Sequence, residues 1–178
     1  MESSRLTLYY SNEDDRAYGL AGMAIILAAL DAMDRVSSVS LDADGPMVTF
    51  SHTYYYSGSP SVSPKATWDH LISNLYLTST MIVGNVLARS LVRMGEKELP
   101  AEALREVRKT IEEEGRDTCS LEPDEIDALY DRTLTVSRRI FGNPRLHPAI
   151  KEFANTISRR RTLSGMELAD ELHLLQLI

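Results

Sequence analysis

Four histidines and one cysteine are the side chains in this 178-residue chain best suited to proton transfer, nucleophilic attack or metal binding. An imidazole titrates near neutral pH and works as an acid or base once a hydrogen-bonding neighbour orients it. His52 stands among Phe50, Tyr54 and Tyr56, and His70 follows Trp68 and Asp69. His52, His70 and Tyr54 are therefore the candidate catalytic residues. Tyr56 and Trp68 would complete their pocket, and the loop 57–63 (SGSPSVS) would cover it as a lid.

Metal spacing is weak. Position 74, one helical turn after His70, is Asn74. Glu167, Asp170, Glu171 and His173 have ligand-like spacing but equally describe a solvated helix face. No metal and no cofactor is expected. The one cysteine, Cys119, allows neither an intrachain disulfide nor a Cys-x-x-Cys site. Its neighbour Asp117 opposes a thiolate. No G-x-S-x-G, phosphate-binding glycine loop, dinucleotide-binding glycine pattern or H-E-x-x-H motif is present.

Charge is the other chemical signal. Residues 111–131 hold nine acids and one base, a net −8; residues 132–161 hold eight bases and one acid, a net +7. Three uses compete for Arg138, Arg139, Arg145, Arg159, Arg160 and Arg161. They balance the acidic block and a helix C-terminus, dock an acidic protein partner, or bind phosphates of a nucleic acid or nucleotide. The overall charge of −7 argues against coating DNA or an anionic membrane. The last helix, a superficial recognition helix, carries Glu167, Asp170 and Glu171 and no lysine or arginine. Nucleic acid is thus the least favoured partner.

These groups need elements to position them. Leu6, Leu8 and Tyr10 alternate as a short strand, and Ser11 or Asn12 caps a helix reaching about Asp34. Val39 and Leu41, then Val48, Phe50, His52, Tyr54 and Tyr56, alternate on either side of Asp44-Gly45. A type I′ turn centred there pairs Leu41 with Val48 and Val39 with Phe50, predicting an antiparallel hairpin over about 37–56. Ser63-Pro64 opens a long helix to about Met94, ended by Gly95. Further helices are predicted over Ala101 to Glu114, Pro123 to Phe141 and Pro148 to Arg161. Ser164 with Glu167 caps a final one. The long helix bears three apolar stripes between Leu71 and Ala88, where a surface helix needs one. Six hydrogen-bonding side chains in those 18 residues make a poor membrane span.

The expected fold is mainly α (α+β): a multi-helix bundle around a long central helix, with a small N-terminal antiparallel hairpin. It should form a single domain over 1–178, with the strand, helix and hairpin in 5–56 and the bundle in 64–178. Met1 to Arg5 shows no signal-peptide pattern, so the expected compartment is the cytoplasm. The expected function is a non-catalytic interaction or adaptor protein, assembled as a homodimer through surplus apolar helix surface. The alternative is an enzyme or small-molecule-binding protein with its pocket between hairpin and long helix. Phosphate or nucleic-acid binding by the arginines is a second alternative.

Overall fold

The computed structural model describes residues 9–55 and 63–177. The start of the expected Leu6–Tyr10 strand, Tyr56 and most of the serine-rich loop lie outside them; Tyr9 and Tyr10 are not in a strand. Helix α1 (Glu13–Ala29) begins where the Asn12 side chain accepts from the Asp15 amide at 2.8 Å. It stops five residues before Asp34, because Asp31 turns left-handed at φ 54°. The Ala32 amide then reaches back to the Leu27 carbonyl at 2.8 Å, a Schellman-type cap.

Next comes the hairpin, β1 (Val36–Ser40) and β2 (Val48–Phe50). Its register corrects the expected one by two residues: Val39 faces Val48 and Ser38 faces Thr49, with a bulge between Val36 and Ser38 that leaves Val36 facing Phe50. The reason is Pro46. A type I′ turn on Asp44-Gly45 needs residue 46 to donate its amide hydrogen to the carbonyl of Ala43, and proline has none. That carbonyl accepts instead from Arg16 Nη2 at 2.6 Å, and the chain opens into a wide loop. A slip of two keeps the side-chain period, so Val36, Val39 and Val48 stay buried and Thr49 exposed.

β2 ends at Phe50. Ser51 and Thr53 hydroxyls donate to the Asp34 carbonyl, at 3.2 and 3.1 Å, and the next residues coil into the single turn α2 (His52–Tyr55). His52 and Tyr54 are therefore on a helical turn and not on a strand face. A third strand, β3 (Thr162–Ser164), pairs antiparallel with the other edge of β1, giving the order β2-β1-β3. It also forms most of the four-residue link between the last two helices, which is therefore an extended strand and not the turn of a helix-turn-helix.

Helix α3 (Pro64–Leu87) starts with the Ser63 hydroxyl accepting from the Ala66 amide and runs on as a π-helical segment, Ala88–Arg93. Gly95, at φ 71°, ends it. By length and composition alone the stretch Pro64–Arg93 could cross a membrane, but 61% of its most apolar window is buried inside the protein. Then follow α4 (Ala101–Cys119), α5 (Pro123–Phe141), α6 (His147–Arg160) and α7 (Gly165–Leu174). α4 continues through Gly115, where a stop was expected. Gly115 faces Leu75, Leu121 and Ile126, and the turn comes at Ser120, φ 49°.

α3 is the centre of the bundle, packed on α1, α4 and α5, while α6 packs on α1 and on the π-helical continuation of α3. The sheet is covered by α7. Leu20, Ile26, Leu27, Leu87, Phe141, Phe153, Leu163 and Leu168 are all fully buried in one continuous core. The result is mainly α with a small three-stranded sheet.

Candidate functional site

A cleft of about 1130 Å³ opens between the hairpin loop and the helices α1 and α3. On α1, Arg16 and Met23 lie two turns apart on one face. Met81 and Ile82 of α3 form the wall beside them. Met47, Val48 and Phe50 close the hairpin side, and Tyr9 and Tyr10 stand at one end. Three methionines give the walls a soft, adaptable lining. Charge is confined to Glu13, Arg16, Asp42, Asp44 and Arg161.

Two arginines fix the loop that forms one wall. Arg16 spans the Ala43 carbonyl and the Met47 sulfur, the latter at 3.2 Å from Nε. Arg161 chelates Asp42, with Nε 3.1 Å from Oδ1, and pairs with Glu13 at the start of α1. The Arg161 hydrogen bonds hold the Asp42 carboxyl below the usual carboxylate range. Arg161 itself has φ 66°, a backbone setting that favours glycine. It is held there by these carboxylates and by its carbonyl, which accepts from the Leu41 amide at 2.8 Å.

The Tyr9–Tyr10 wall is fixed from behind. Asn85 donates to the Tyr10 hydroxyl at 2.8 Å, and Arg89 donates to the Tyr9 carbonyl at 2.9 Å while lying over the Tyr10 ring. Burial raises the pKa of the Tyr10 phenol against the opposing pull of Asn85 and Arg89. Arg89 also grips Asp15 of α1 with two hydrogen bonds, at 2.8 and 2.7 Å. The π-helical segment carries both Arg89 and Arg93, and Arg93 pairs with Asp14 at 2.6 Å.

The sequence-derived candidates sit elsewhere. His70 donates from Nε2 to the Tyr54 carbonyl at 2.8 Å, and Asn74 donates to the same oxygen at 2.9 Å, tying α2 to α3. The Tyr54 ring stacks on Phe50, 3.9 Å between centroids. His52 is exposed at the start of α2. Among the described residues of this set His70 and Tyr54 meet, through a backbone carbonyl, and neither lines the cleft. Trp68 lines a different, smaller crevice of about 310 Å³ between α3 and α5. His147 donates to the Phe141 carbonyl at 2.7 Å. Among the described residues no group of three His, Cys, Asp or Glu is arranged to hold a metal. Cys119, expected in a loop, is fully buried in the last turn of α4, where burial and then Glu114 push its thiol pKa up.

The arginines divide into two groups. Arg159 pairs with Glu152, Arg160 with Glu167 and Glu171, and Arg161 with Asp42 and Glu13. None of these acids belongs to the block 111–131. Arg138, Arg139 and Arg145 are exposed and form no ion pair among the described residues. A phosphate backbone would have to displace the carboxylates from Arg159, Arg160 and Arg161. We therefore expect a gel shift at about 50 mM salt to show no retardation of single- or double-stranded DNA; clear retardation lost by about 200 mM would identify counterion-releasing contacts.

Sequence reasoning missed Arg16, Asn85 and Arg89. The signal available was a pair of arginines at i and i+4, Arg89 and Arg93, closing a long run without charge. No protein-family model matches the chain, and no curated protein matches it in sequence.

Proposed function

We propose that this chain is a non-catalytic binding protein that takes up an apolar segment of another polypeptide in the cleft between the hairpin and α1/α3. The observation that carries this reading is the cleft itself: about 1130 Å³, walled by methionine, tyrosine and aliphatic side chains, with charge at five positions. Binding sites commonly combine such an apolar lining with a few fixed polar groups. An extended segment suits it better than a compact molecule, because β2 lines the cleft and pairs only with β1 among the described residues. Its outer edge can add a strand while alternate side chains enter the methionine-lined wall. Against catalysis stand His70 and His147, both spent on backbone carbonyls.

The test uses the apolar dye 8-anilinonaphthalene-1-sulfonate and a short capped peptide of alternating leucine and lysine. The dye is expected to bind one site and to be displaced by the peptide. Ile82→Asp, at a half-buried cleft position, should weaken both by at least tenfold while the protein still melts cooperatively. Trp68→Ala, in the separate crevice, should leave both unchanged. An unaltered affinity in Ile82→Asp, or dye binding that the peptide cannot displace, would overturn the reading.

A further inference from the structure

We infer that a second copy of this chain docks on the outer face of α5, the two α5 helices lying antiparallel about a two-fold axis between Asp131 and Arg132. α5 buries Ile126, Tyr130, Thr133, Ser137 and Phe141 against the bundle. At 3.6 residues per turn the opposite face carries Asp124, Ala128, Asp131, Arg132, Thr135 and Arg139, and every one of these is exposed. The stripe is acidic toward the N-terminus and basic toward the C-terminus. Asp124, Asp131, Arg138 and Arg139 form no ion pair among the described residues.

The face is self-complementary in one arrangement only. Turned antiparallel about that axis, residue n lies level with residue 263 − n of the other copy, by counting along the helix. Asp124 then comes beside Arg138 of the other copy and Glu125 beside Arg139, while Asp131 and Arg132 flank the axis on opposite sides, Arg132 lying 4.1 Å over the Tyr76 ring of its own chain. Ala128 faces Thr135, so small side chains mark the two points of closest approach. A parallel arrangement would set acid against acid. Two-fold pairing requires a surface of this kind, in which i meets j and j meets i.

Apolar surface adjoins the stripe. The crevice of about 310 Å³ between α3 and α5 is bordered by Glu125, Ala128 and Arg132 and by Trp68 and Ile72. Trp68 is 43% exposed and Leu71 37%. One helix face is small against the roughly 800 Å² per partner of a standard interface. The uncovered start of α3 extends it, and places a tryptophan, a frequent interface anchor, at its side.

Sedimentation equilibrium of the full chain should give a dimer, twice the 19.9 kDa chain mass, at low salt, weakened by added salt as screened charge pairs require. Asp124→Arg and Arg138→Asp should each weaken it at least tenfold, because each sets like charges beside one another. Mixed one to one, the two variants should regain a dimer, since each then offers what the other lacks. As a measurement that keeps the native charges, Ala128→Cys chains mixed with Thr135→Cys chains should form a disulfide-linked pair under mild oxidation, while either alone should not. A monomeric native protein at low salt, single variants as dimeric as the native chain, or no cross-link in the mixture would each overturn the inference.

Discussion

Replacing Gly22 with alanine is expected to destabilise the fold by about 1–2 kcal/mol, although alanine is ordinarily the better helix former. The gain from propensity is about 1 kcal/mol. Against it stands the crossing of α1 and α3. A Cβ on Gly22 would lie 2.4 Å from the Gly84 carbonyl oxygen and 2.8 Å from the Ala88 Cβ. Both are backbone-anchored, so neither can swing away and the helices must part. Overpacking of this kind typically costs about 1–3 kcal/mol, and more where backbone moves. Met23 follows Gly22, and Met81 and Ile82 precede Gly84, so spreading the crossing also widens the floor of the cleft. Urea denaturation reads the loss, with Gly45→Ala as the control: nothing lies within 4 Å of a Cβ there, and its change should stay within about 0.5 kcal/mol. Equal midpoints for the two variants would rule out the close crossing.

Helix ends were legible in the sequence wherever a cap and a proline or glycine coincided. Ser63-Pro64 begins α3, Pro123 begins α5, and Ser164 with Glu167 caps α7, each as its local chemistry demands. Where one residue had to decide alone, tertiary context decided instead. Gly115 reads as a helix stop, yet it sits inside α4, packed at ordinary contact distance against Leu75, Leu121 and Ile126, and the left-handed turn that ends the helix falls at Ser120 instead. Asp44-Gly45 reads as a hairpin turn, yet Pro46 removes the hydrogen bond that would close it and Arg16 takes the freed carbonyl. The strand Thr162–Ser164 is three residues long, too short for a period to register.

The cleft was legible only in its location, between the hairpin and the long helix. Its walls come from residues 9–23, 41–50, 78–82 and 161. Nothing in one such segment announces the others. Methionines on α1, the hairpin and α3 look like ordinary core residues until the fold brings them to one opening. The aromatic and histidine cluster was conspicuous because it is dense in sequence, and it is used locally: Tyr54 stacks on Phe50, and His70 closes on the Tyr54 carbonyl.

Asp15 shows the same limit and carries the second large expectation. In sequence it is the third acid of a helix first turn, worth a few tenths of a kcal/mol there. In the fold its side chain is 5% exposed and paired with Arg89, itself 14% exposed. Asp15→Ala takes the carboxylate from that guanidinium and should cost about 3–5 kcal/mol, the usual penalty for breaking a buried pair from one side. Removing both partners, as Asp15→Leu with Arg89→Met, should recover most of the loss, because no uncompensated charge remains. The pair also sets a pH dependence. Burial works to raise the Asp15 pKa, but hydrogen bonds from Arg89 and Ser11 outweigh it and hold the pKa below its ordinary value. A carboxyl depressed in the folded state adds stability that is fully present above its unfolded pKa, near 3.9. That contribution disappears as pH falls through the lower folded value. The stability gap between native and Asp15→Ala proteins should therefore be constant from about pH 5 upward and shrink below about pH 4. Because Arg89 also holds the Tyr9 carbonyl and covers the Tyr10 ring, dye binding in the cleft should weaken in the same variant. A loss under about 1 kcal/mol, or a gap that ignores acid, would mean that Arg89 finds water as easily as it finds Asp15.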